Sequence, residues 1–94
     1  EVLVMEITNV RIFKAKQRGP VLAYANVIIS NQFIIRGITL IEKDGRRFIS
    51  MPSRRVLNSN RNFRDTVHPL NRELREELTN IIFEAYDEFL KSEE

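Results

Sequence analysis

The hydrophobic pattern of this chain changes period once, and that change constrains the fold more than any other feature. Up to Met51 the apolar residues alternate as half-buried strands do; from Arg72 they recur at helical spacing. A run of strands followed by one helix predicts an α+β domain, not interleaved βαβ units with a parallel sheet. With 94 residues there is room for one domain only.

The strand region resolves into four segments. In residues 4–14, Met5 and Ile7 share one parity while Val10 and Ile12 share the other. A bulge near Thr8-Asn9 brings both pairs to one face. Gly19-Pro20 marks a turn. Residues 21–30 predict a second strand, with Ala23, Ala25, Val27 and Ile29 on one face and Leu22, Tyr24, Asn26 and Ile28 on the other. Ser30-Asn31-Gln32 reads as a tight turn into a third strand over 33–42, where Gly37 points to a bulge or a close backbone approach.

Asp44-Gly45 is a type I′ hairpin signal, because both central residues must adopt positive φ. The register that follows pairs Lys43 with Arg46, Glu42 with Arg47, Ile41 with Phe48 and Leu40 with Ile49. One face then carries Ile38, Leu40, Ile49 and Met51, with the Glu42–Arg47 pair at its end. Pro52 closes the fourth strand, since it has no N–H for a ladder.

From Arg72, residues Leu74, Leu78, Ile81, Ile82, Ala85 and Phe89 form an apolar stripe at helical spacing. Asn71 is a suitable N-cap for that helix. Arg72 and Arg75 fall in its first turn, where the helix dipole disfavours cations. Residues 53–71 between sheet and helix predict an irregular, polar, basic segment. One helix covers only one face of a four-stranded antiparallel sheet. A second copy that covers the other face or extends a sheet edge resolves this, so the expectation is a homodimer formed through the sheet.

Charge narrows the function. The formal net charge is only +2. Residues 46–75, however, hold Arg46, Arg47, Arg54, Arg55, Arg61, Arg64, Arg72 and Arg75 against Asp65 and Glu73, a balance of +6. Residues 76–94 hold Lys91 against seven carboxylates, a balance of −6. Every cation of the middle block is arginine, whose planar fork suits phosphate and stacks on bases. Two readings follow: the block meets nucleic acid, or it pairs with the acidic helix of its own subunit.

Other chemistries find little support. With no cysteine and one histidine, disulfide scaffolds, thiolate or multi-histidine metal sites and cysteine nucleophiles are excluded. The glycines stand alone at 19, 37 and 45, so there is no phosphate-cradling loop and no cofactor is expected. No apolar run approaches the ~18 residues of a membrane span, and no signal peptide is visible, so the cytoplasm is the expected location. His68 and Asp65 with Ser53 or Ser59 outline a weak hydrolase constellation that lacks a nucleophile elbow. His68-Pro69 reads instead as an entry to the helix, with the imidazole bonded to backbone, and a non-enzymatic role is expected. Phe63 reads as a core anchor, with base stacking as its alternative. Arg64 beside Asp65 reads either as phosphate contact or as a buried pair.

Three stretches carry a family resemblance: MEITNVRI at the start, FISMPSRR at 48–55 and FRDTVHPLN at 63–71. On these the chain resembles the SpoVG (stage V sporulation protein G, septation regulator) family from Met5 through the helix. Residues 1–4 then stand as an extension or cloning remainder. The resemblance implies a small homodimer of the bacterial cytoplasm that binds DNA, and in some members RNA, site-selectively as a regulator of septation, sporulation or gene expression; association with the nucleoid is compatible with that role. It places family binding at Arg54, Arg55 and Arg64, with Arg72 and Arg75 close by. Arg54 stands where lysine is frequent. The rival reading is a protein-interaction module of the division or sporulation machinery, acting through the acidic helix face.

Overall fold

The structure is a computed structural model that describes residues 5–16, 19–57 and 63–92. Its elements run β1 (Ile7–Lys14), β2 (Val21–Ile29), β3 (Phe33–Lys43), β4 (Arg46–Ser50), β5 (Ser53–Arg55), β6 (Phe63–Asp65) and α1 (Arg72–Ser92). The first four strands form one antiparallel sheet in the order β1-β2-β3-β4, as the alternation predicts, and one C-terminal helix follows.

Two of the three register breaks sit where the backbone has a reason for them; the third lies between Val21 and Ala23. β1 carries one extra residue between Ile7 and Asn9, the bulge that the parity switch demands. The Thr8 hydroxyl donates to Ile28 O at 3.2 Å and accepts from Asn31 N at 3.0 Å, so the bulge also anchors the β2–β3 turn. In that turn Ser30 and Asn31 have φ of 52° and 55°, and Gln32 N donates to Ile29 O. On β3 the extra residue lies between Ile35 and Ile38, where Gly37 adopts φ +82° and donates its N–H to Asn26 Oδ1 at 3.2 Å. Asp44 and Gly45 both have positive φ, and the β3–β4 pairs match the type I′ register residue for residue.

The core lies between one sheet face and α1. Ala23, Ala25, Val27, Ile38, Leu40, Ile49 and Met51 are buried against Leu78, Ile82, Phe83 and Tyr86. Complete burial of Ile38, Leu40, Ile82 and Val27 stabilises the fold by about 1.5–3 kcal/mol each. Asn71 caps the helix: its Oδ1 accepts from Leu74 N at 2.7 Å. The apolar arc of α1 is wider than the sequence stripe, because Phe83 and Tyr86 are buried beside Leu78 and Ile82. Ile81 and Ala85, on the side toward β1, are half-buried.

Residues 53–71 are not irregular throughout. β5 and β6 pair as a small antiparallel hairpin, Ser53 opposite Asp65, Arg54 opposite Arg64 and Arg55 opposite Phe63. Thr66 closes it onto the end of the main sheet, donating from both N and Oγ1 to Pro52 O. This backbone pairing needs no apolar alternation, so the polar sequence concealed it.

Candidate nucleic-acid interface

The sequence-predicted arginines divide by the face on which their element places them. Arg47 has the same parity as Ile49 and therefore points toward the helix. Its Nη1 lies 3.1 Å from Asp87 Oδ1, and its Nε lies 3.5 Å from Glu42 Oε2. Its guanidinium carbon stands 5.2 Å from the Phe83 ring centre and 5.8 Å from that of Tyr86. Burial alone would lower its pKa. The hydrogen bond and charge of Asp87, reinforced by Glu42, outweigh that and raise it. For Arg47 the internal-pairing reading holds.

Arg72 is also engaged, its Nε lying 3.2 Å from Glu76 Oε1 one helical turn on. That pair is 86% and 64% exposed, so water screens it and a phosphate competes with it readily. Arg75 is half-buried in the first turn, its N–H donating to Asn71 O at 3.3 Å. Arg61 and Ser59 lie outside the described residues.

The β5–β6 hairpin holds the arginines that the fold leaves open. Arg54 and Arg64 face each other across the ladder, and neither has an acidic partner among the described residues. Like charges directly opposite on two strands destabilise the pair unless an anion lies between them. The hairpin's other face carries Arg55 opposite Phe63, a guanidinium beside an open ring. Phe63 is 67% exposed, so it is not the core anchor that its size suggests. Arg64 and Asp65 are exposed as well, which removes the buried-pair reading: alternation sends them to opposite faces.

Among the described residues no hydrogen bond links His68 to Asp65 or Ser53. Asp65 is held in register opposite Ser53, and His68 Nδ1 donates to Pro69 O at 2.9 Å. Among the described residues no group of carboxylates and histidine has the arrangement of a metal site. An apolar cavity of about 470 Å³ opens between the β2–β3 turn and the start of α1, with Met5, Phe33, Met51 and Leu78 in its wall. No described helix is long and apolar enough to cross a membrane.

Comparison with known proteins points to one family. The family description SpoVG matches residues 5–88. A protein of Archaeoglobus fulgidus named as a septation protein, SpoVG, is 41% identical over 83 residues, covering 88% of this chain and 95% of the relative. A relative of the same name in Clostridioides difficile is 38% identical, covering 92% of this chain and 91% of its own. Another in Bdellovibrio bacteriovorus is 35% identical over 88 residues.

Proposed function

The chain belongs to the SpoVG family, and from that premise we propose that it is a nucleic-acid-binding regulatory protein that works as a homodimer through its β5–β6 hairpin. The observation that carries this reading is the opposed pair Arg54–Arg64, two exposed guanidinium groups without a carboxylate partner among the described residues. Such a pair is stabilised by a phosphate that bridges it, and arginine forks grip phosphate oxygens bidentately. Arg55 with Phe63 adds a stacking surface on the reverse side. Arg72 and Arg75 at the start of α1 extend the basic set; Arg46 lies at the far end of β4 from β5, and Arg47 serves the fold.

Open sheet edges support the dimer reading. The sheet's outer strands β1 and β4 leave open ladder edges, and a second copy paired at an edge satisfies them. A two-fold dimer doubles the hairpin and gives paired half-sites. The reading extends to control of septation or sporulation genes in the cytoplasm, associated with the nucleoid.

Fluorescence anisotropy with labelled duplex DNA and with RNA at low salt tests binding, and light scattering tests the dimer. Saturable binding by a species of twice the chain mass is expected. No binding to either polymer at low salt defeats the proposal. A second reading rests on Glu84 and Glu88, exposed on α1 beside Ile81 and Ala85: a docking face for a protein of the division machinery. Charge reversal at these two positions tests it, leaving out Asp87, which Arg47 requires.

A further inference from the structure

The sheet face turned away from α1 carries a pattern that the arginine block does not account for. Alternation places Phe13, Tyr24 and Phe48 on it, because their neighbours Ile12, Ala25 and Ile49 face the core. Each of the three rings stays 42–47% exposed. Phe13 sits directly opposite Tyr24 in the β1–β2 register. Phe48 lies two strands from Tyr24, about 10 Å across the sheet and two residues further along it, since Tyr24 pairs with Thr39 and Phe48 with Ile41.

The charges on this face have one sign. Arg11 follows Asn9 and precedes Phe13 in the outward series of β1. Arg36 alternates outward after Ile35, and Lys43 pairs with Arg46 at the hairpin end. No outward-facing strand position holds Asp or Glu; Glu42 faces the core side with Arg47. Arg11, Arg36, Lys43 and Arg46 have no acidic partner among the described residues. An apolar face alone would suit a second copy of the chain. Stacking this face on itself, however, brings cations against cations with no carboxylate on its strand positions to relieve them; the nearest, Asp44, lies in the hairpin turn at its rim.

We infer that the outer face of the sheet is a stacking platform for single-stranded nucleic acid, with Phe13, Tyr24 and Phe48 under the bases and Arg11, Arg36, Lys43 and Arg46 along the phosphates. Every base has a π-face, so rings on an open sheet bind single strands with little sequence preference. A duplex keeps its bases stacked on each other and offers nothing to the rings. The inference deepens the nucleic-acid reading and takes its class of partner from it. It adds a second surface and a preference for unpaired strands.

The chain has no tryptophan, so Phe48→Trp installs a unique fluorophore on the platform. Phe13→Trp supplies a second reporter should the first variant fail to fold. The probes are oligo(U) and oligo(dT) of about a dozen nucleotides and a mixed-sequence duplex, with anisotropy of labelled strands read in parallel. Saturable quenching by the single strands and weak response to the duplex are expected. Tyr24→Leu, which keeps apolar bulk without a ring, should weaken oligo(U) binding roughly 5- to 150-fold. Three results overturn the inference: single strands bind without quenching, duplex quenches equally well, or the Trp emission shifts with protein concentration alone. The last assigns the face to a second copy. Failure of the hairpin reading is separable, since Arg54→Ala with Arg64→Ala would then leave affinity intact while quenching persists.

Discussion

Replacing Arg47 by alanine should cost stability and leave nucleic-acid affinity almost unchanged. Arg47 joins the end of the β3–β4 hairpin to α1 through Asp87 at 3.1 Å and reaches Glu42 at 3.5 Å. Its side chain is 39% exposed, so each ion pair is discounted to the surface range of about 0.2–1 kcal/mol. The guanidinium at 5.2 Å from the Phe83 ring adds about 0.5–1 kcal/mol as a cation–π contact. The sum is about 1–3 kcal/mol. For a domain of this size each kcal/mol moves Tm by about 4–8 °C, so Arg47→Ala should melt about 4–24 °C lower. The melt is run at one fixed protein concentration, because linked self-association makes Tm concentration-dependent. Arg47→Lys keeps the charge but loses the fork and should fall between the two. In an Asp87→Asn background the Arg47→Ala penalty should shrink. A Tm within about 1 °C of the parent, or an equal penalty in both backgrounds, refutes the reasoning.

Three further outcomes follow. Asn71→Ala removes the 2.7 Å bond to Leu74 N and should cost about 0.5–2 kcal/mol in urea unfolding. Gly37→Ala meets no neighbouring atom within 4 Å, but at φ +82° an added Cβ is strained against its own backbone. A loss of about 1–2 kcal/mol is expected, and an unchanged urea midpoint would show that the bulge relaxes. Arg64→Ala relieves the repulsion opposite Arg54, so it should hold or raise Tm at low salt by the equivalent of a few tenths of a kcal/mol. A clear drop in that melt would mean the pair is bonded in a way the ladder does not explain.

The main sheet was legible from sequence because burying one face leaves each strand a single workable register. The parity switch at Met5–Ile12 fixed the first bulge, and Asp44-Gly45 fixed the third hairpin. The β5–β6 hairpin was not legible. Its strands are three residues long and exposed throughout, so no alternation marks them. Phe63 misled for the same reason: large apolar residues are usually inside, but the converse does not hold for every exposed one. The split of the arginine block was half visible. The parity shared by Arg47, Ile49 and Met51 already pointed Arg47 at the helix, but which carboxylate it meets depends on the rotation of α1. The outer-face aromatics were readable as residues on alternating positions. Their clustering required the register shifts between β1, β2 and β3.

The central claim is that the β5–β6 hairpin binds the phosphate backbone, and the salt dependence of affinity tests it most directly. Log affinity for duplex DNA should fall linearly with log salt, with a slope of about 0.9 for each phosphate engaged. Replacing Arg54, Arg55 and Arg64 together by alanine should weaken binding and flatten that slope by about 2–3. Parallel lines for the parent and the triple variant, at equal stability, would contradict the account and place the phosphate contacts elsewhere on the chain.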